Sequence, residues 1–105
     1  MYYVDDLSTI DIGRRGENLA REIEIDVSSM QVQWPGAAIA LLIMRPGDVL
    51  PYPANAQLEG SVLRWSVSDA DTARSGHGWL EVRCALGEVL AKSVLGRFFV
   101  AGALP

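Results

Sequence analysis

The chain has 105 residues, 50% hydrophobic and 21% charged, which suits one ordinary domain with a core that folds without metal or disulfide. Its formal net charge of −4 argues against a dedicated nucleic-acid binder, which needs clustered Lys and Arg, and against an anionic membrane surface. The longest apolar run, residues 37–44, falls far short of the roughly 20 residues of a spanning helix.

The opening Met1-Tyr2-Tyr3-Val4-Asp5-Asp6 turns acidic at once, so no export signal is expected. Residues 1–18 read as an N-terminal strand and a loop, with Gly13-Arg14-Arg15-Gly16-Glu17 as the loop before the first strong strand. That strand is marked by alternation: Ile23, Ile25 and Val27 point one way, Glu22, Glu24 and Asp26 the other. A helix would set Ile23 and Ile25 about 200° apart, which makes no stripe. Ser28 or Ser29 then caps one helical turn that Pro35-Gly36 stops, with Met30 and Trp34 closing the end of the core.

The run 37–44 is apolar on both faces and carries β-branched Ile39 and Ile43, which predicts a central strand. Arg45-Pro46-Gly47-Asp48 is a turn. Val49-Leu50-Pro51-Tyr52-Pro53 belongs on an edge, because proline cannot donate to a ladder. Residues 55–60 give a short strand and turn, and Leu63, Trp65 and Val67 face inward from the next strand. Residues 68–76 form a polar crossing, with Ser68 capping a short helix, Asp69 and Asp71 in its first turn and Gly76 as its exit. Leu80, Val82 and Cys84 face in, Glu81 and Arg83 out, Leu86-Gly87-Glu88 turns, and a last strand runs from Val89 to about Val100. Gly96 inside it predicts a bulge or a close contact. Residues 101–105 read as a mobile tail.

The expectation is therefore a single domain over 1–105, all-β: an immunoglobulin-like antiparallel β-sandwich of about seven strands with one or two short helical turns.

Catalytic signatures are sparse. His77 is the only histidine, set between two glycines that give its ring nothing to lean on. One His and one Cys with six residues between them make no zinc site, and a lone Cys84 reads as a small buried hydrophobe. Glu22, Glu24 and Asp26 share a strand face and read as a solvated surface rather than as a glycosidase pair. Neither Asp5, Asp6 and Asp11 nor Asp69 and Asp71 has calcium-loop spacing. Gly13-Arg14-Arg15-Gly16 lacks the Lys-Ser/Thr ending of a phosphate loop. No catalytic residue, metal or cofactor is expected.

The aromatics carry more. Trp65 is in phase with the core, whereas Trp79 is out of phase with Leu80 and Val82 and belongs on the outer face. Tyr2, Tyr3 and Tyr52 fall in edge or terminal segments. With Trp79 they suit a protein–protein interface, and Arg14 and Arg15 suit contact with an acidic neighbouring subunit.

Two stretches carry resemblances. Asp71-Thr72-Ala73-Arg74-Ser75-Gly76, followed by Leu80, Val82 and Cys84, is similar to the E–F corner of immunoglobulin-like domains, with Val82 where that corner has its tyrosine. Ile12-Gly13-Arg14-Arg15-Gly16-Glu17-Asn18, Ile25-Asp26-Val27-Ser28, Trp34-Pro35-Gly36, Arg45-Pro46-Gly47-Asp48, Pro51-Tyr52-Pro53 and Ala91-Lys92-Ser93 resemble small phage and prophage tail-associated proteins of Gram-positive hosts. Those look related to the N-terminal β-sandwich domain of baseplate upper and receptor-binding proteins. The resemblance implies a non-enzymatic virion component that binds copies of itself and other tail or fibre proteins; the charge balance already speaks against nucleic acid and membrane as partners. It places the chain in the virion, or in the bacterial cytoplasm before assembly. The competing expectation is a carbohydrate- or ligand-binding sandwich that stacks sugars on exposed aromatics.

Overall fold

The computed structural model describes residues 1–7, 9–19 and 21–102. In chain order it holds β1 (Tyr2–Tyr3), a 3-10 turn (Val4–Asp6), β2 (Thr9–Arg14), β3 (Glu22–Asp26) and α1 (Ser28–Gln33). Then come β4 (Ala38–Met44), β5 (Tyr52–Pro53), β6 (Ala56–Glu59), β7 (Val62–Ser66), β8 (Gly76–Leu86) and β9 (Val89–Ala101). Two sheets stack as a sandwich, one ordered β1-β3-β7-β6, the other β2-β9-β8-β4-β5.

The alternation that marks each strand also builds the core. Ile23 and Ile25 of β3 and Leu63 and Trp65 of β7 are buried from one side. Leu41, Ile43, Leu80, Val82, Cys84, Phe98 and Val100 are buried from the other. Trp65 and Phe98 meet edge to face, ring centroids 6.0 Å apart at 77°, a favoured aromatic geometry. The expected inward and outward assignments of β3, β7 and β8 hold residue for residue.

Other expectations are corrected. The sandwich is mixed, not purely antiparallel, because β1 runs parallel to β3 and β2 parallel to β9. Parallel neighbours need a long connection, and almost the whole chain separates β2 from β9. Among the described residues nine strands replace about seven. One of the additions is β2, where Ile10 and Ile12 are fully buried in a stretch read as loop; only Arg15 and the residues after it turn away. The helix starts at Ser28 without a serine cap: Asp26 Oδ1 instead accepts from the Ser28 backbone N–H at 2.9 Å. Residues 69–74 form successive turns and no helix.

Gly96 makes a close contact: a Cβ there would sit 3.2 Å from Leu80 Cδ1 and 3.3 Å from Leu7 Cβ. The bulge lies elsewhere, where Cys84 pairs with Lys92 but Ala85 pairs with Leu90, which leaves Ala91 extra. Of the tail expected at 101–105, Ala101 ends β9 and 103–105 lie outside the described residues. The β8–β9 hairpin, of 11 and 13 residues, stretches the molecule to 48 × 27 × 20 Å.

Candidate interaction surface

Register sets what the outer face of the five-stranded sheet presents. Met44, Trp79 and Arg97 form one row across β4, β8 and β9; Leu42, Glu81 and Leu95 form the next; Ala40, Arg83 and Ser93 the third. Directly opposed strand residues lie about 5 Å apart, so each row is a continuous contact. Trp79 is 47% exposed and Leu95 62%. With Leu42, Met44, Pro51 and Glu81 they line a shallow concavity of about 230 Å³. The Arg97 guanidinium lies 5.2 Å from the Trp79 ring centroid, a cation–π distance. Glu81 accepts from Arg83 Nε at 2.6 Å and Ser93 Oγ at 2.5 Å, so its carboxylate is already engaged.

The outer face of the other sheet is different in kind. Arg64 reaches Glu22 at 3.4 Å and Glu24 at 3.6 Å, and also contacts Glu59. These side chains are substantially exposed, so the network is a solvated charged surface of modest energy. Apolar residues therefore collect on one outer face and carboxylates on the opposite one.

A second polar cluster ties the 45–53 segment to the 68–76 crossing. Asp71, 1% exposed, accepts from Tyr52 Oη at 2.5 Å, Trp65 Nε1 at 3.0 Å and the Ser68 backbone N–H at 2.9 Å. Asp48 takes Arg45 Nε and Arg74 Nη1, each at 2.8 Å, and Arg74 also donates to the Pro46 carbonyl at 3.0 Å. Burial, reinforced by the Asp71 hydrogen bond, pushes the Tyr52 phenol far above its ordinary range. The Arg45 hydrogen bond holds Asp48 below the usual carboxylate range, and Asp48 raises Arg45 in turn. Hydrogen bonds from Ser28 likewise lower Asp26.

The residues singled out from sequence do not converge. Tyr2 and Tyr3 lie on β1 at the edge of the four-stranded sheet, Tyr2 half-buried against the core and Tyr3 exposed. Arg14 ends β2 and Arg15 follows it, both exposed, with the Arg15 N–H bonded to the Ala101 carbonyl at 2.8 Å. Tyr52 sits half-buried on β5 with its hydroxyl turned inward to Asp71. Trp79 alone stands on the apolar outer face. Its companions Leu42, Met44, Leu95 and Arg97 were not singled out, since alternation assigns faces while register decides neighbours.

His77 lies within β8 on its outer face and, contrary to the expectation, its ring does rest on a neighbour, Phe99, with ring centroids 5.0 Å apart. Cys84 is fully buried on the inner face of the same strand. Among the described residues no group of three His, Cys, Asp or Glu is placed to hold a metal ion, and no helix is long and apolar enough to cross a membrane. Comparison with protein-family models and with curated proteins finds no match.

Proposed function

We propose that this chain is a non-enzymatic structural or assembly module of a phage or prophage virion, acting in the tail, baseplate or fibre attachment through protein–protein packing. An immunoglobulin-like arrangement of the two sheets is part of the same reading. The observation that supports packing is the outer face of the five-stranded sheet, where Trp79, Leu95, Leu42 and Met44 gather around one shallow concavity. Contiguous exposed apolar area rimmed by Arg and Glu is the composition of a contact surface, with tryptophan as its natural anchor. The partners proposed are copies of this chain and other tail or fibre proteins. Its place is the virion, reached from the bacterial cytoplasm. The phage assignment rests on the sequence resemblance; the packing mechanism rests on the surface.

Light scattering over a concentration series, with binding assays against the products of neighbouring genes, tests this reading. Self-association or binding that Trp79→Glu weakens by tenfold or more, about 1.4 kcal/mol, supports it. A strict monomer that binds none of those products overturns it.

The rival, a sugar-stacking module, draws on the same exposed Trp79. Arg97 already lies over that ring and Glu81 is held by Arg83 and Ser93, which leaves a sugar little to stack on or bond to. Glycan-array binding abolished by Trp79→Ala would reverse the preference.

A further inference from the structure

We propose that the free edge of β9 pairs with the same edge of a second copy of this chain, antiparallel, about a two-fold axis at Ser93. This names the partner and contact for the packing reading above, and rests on it.

The edge is open because the two neighbours of β9 differ in reach. β8 pairs with β9 along its whole length, whereas β2 covers the other side only from Arg97 onward. Among the described residues, no strand and no other backbone hydrogen bond meets residues 89–95 on that side. A bare strand edge offers a row of N–H and C=O groups that another strand satisfies as a set.

The other open stretches are shorter: β1 leaves only Glu22–Glu24 of β3 uncovered and β5 only Ala38–Ala40 of β4, and the strands that end the sheets are short or interrupted. β1 and β5 are two residues long, and β5 contains Pro53. β6 has four residues and ends in Glu59. β2 is interrupted by an irregularity between Asp11 and Arg14, two charged positions. Residues 89–95 read Val-Leu-Ala-Lys-Ser-Val-Leu, with no proline and one charge. That one charge, Lys92, sends its ammonium to 5.8 Å from the Trp34 ring centroid. In the same segment Val89 is 67% exposed, Leu90 51% and Leu95 62%. Unpaired backbone and exposed apolar side chains thus coincide on one stretch.

A second copy fits for two reasons. Identical edges laid antiparallel obey a two-fold axis, so the contact closes on itself and leaves no bare end to grow. Charge also selects a register. Centred on Ser93, the ladder sets Lys92 opposite Val94 and Leu95 opposite Ala91; centred on Lys92, it would set two lysines face to face. The bulge at Ala91 limits the ladder on one side and β2 limits it on the other. Antiparallel pairing keeps like faces together, so the two five-stranded sheets join with both Trp79 faces on one side.

Ser93→Cys tests the register. Directly opposed residues across an antiparallel pair have Cα atoms about 4.5–5.5 Å apart, within disulfide reach. Mild oxidation of this variant is expected to give a covalent dimer, while the native chain, whose only thiol is buried Cys84, gives none. Ser93→Asp sets two carboxylates across the axis beside Glu81 and is expected to weaken dimerisation roughly tenfold in sedimentation, with circular dichroism showing the fold retained. Should Ser93→Asp fail to fold, the Ser93→Cys cross-link decides alone.

Association that Trp79→Glu abolishes, with no Ser93→Cys cross-link, overturns edge pairing and leaves the packing reading standing. So does a monomer at millimolar concentration that still binds neighbouring gene products. A monomer that binds nothing overturns both.

Discussion

Asp71 gathers hydrogen bonds from three separate places: a phenol on β5, an indole on β7 and a backbone N–H at the start of the crossing. A buried carboxylate is tolerable only when so satisfied. Tyr52→Phe removes the shortest of these bonds and is expected to cost about 2 kcal/mol in urea unfolding, since the bond is to a charged group. The sign of its pH dependence follows from the raised phenol. In the folded chain Tyr52 stays protonated past pH 10, where the unfolded chain begins to release its proton. Its contribution is therefore full below pH 10 and declines as pH rises above it. Urea melts between pH 9 and 11 are expected to lose stability faster in the native chain than in Tyr52→Phe. Asp48 acts at the other end of the scale. Its lowered carboxyl stabilises above the ordinary value of 3.8 and loses that effect as pH falls through the folded value, so Asp48→Asn is expected to flatten the acid limb of the same series.

At the scale of elements, β8 owes its straight run past the core to Gly78. A Cβ there would fall 2.3 Å from Phe98 Cζ and 2.7 Å from the Met44 carbonyl oxygen. The ring is fully buried against Trp65, and the carbonyl belongs to Met44, which pairs with Trp79 in the ladder between β4 and β8, so neither gives way easily. Gly78→Ala is expected to destabilise by about 3 kcal/mol or more, at the upper end of overpacking costs, read from thermal or urea melts. Gly76, expected as the exit of the crossing, has the positive φ of 117° that such a role needs, whereas nothing in the sequence marks Gly78 as the crowded position. What was legible is the set of strands with clean alternation, β3, β7 and β8, and the place of the turn between β8 and β9, expected over Leu86-Gly87-Glu88 and closed over Gly87 and Glu88 alone. What was not legible has a common cause. In β2 the alternation spans only Ile10, Asp11 and Ile12 before the glycine–arginine stretch signals a turn. In the 68–76 crossing, Asp71 looked like a first-turn carboxylate because its true partners, Tyr52 and Trp65, come from other strands. Parallel pairing was hidden for the same reason: side-chain period tells which way a residue faces, not which strand lies beside it.

Across the whole molecule the two outer faces divide the labour of solubility and contact. Glu22, Glu24 and Glu59 around Arg64 keep one face wetted, and the other concentrates Trp79, Leu95, Leu42 and Met44. Contacts through the apolar face are expected to persist at 0.5 M salt, because charge screening leaves apolar burial intact; light scattering with and without salt checks this. A strongly salt-sensitive assembly would instead implicate the carboxylate face.

The pairing of β2 with β9 carries a further consequence, for birth rather than for assembly. β9 is the last strand among the described residues and lies between β2 and β8. While a ribosome is still making residues 97–101, β2 has nowhere to dock. Ile10 and Ile12, sealed in the finished protein, stay wetted throughout that interval. Native structure must then snap shut late, after synthesis has delivered the final rung, and nascent chains halted at residue 95 should be cut by protease where full-length ones resist.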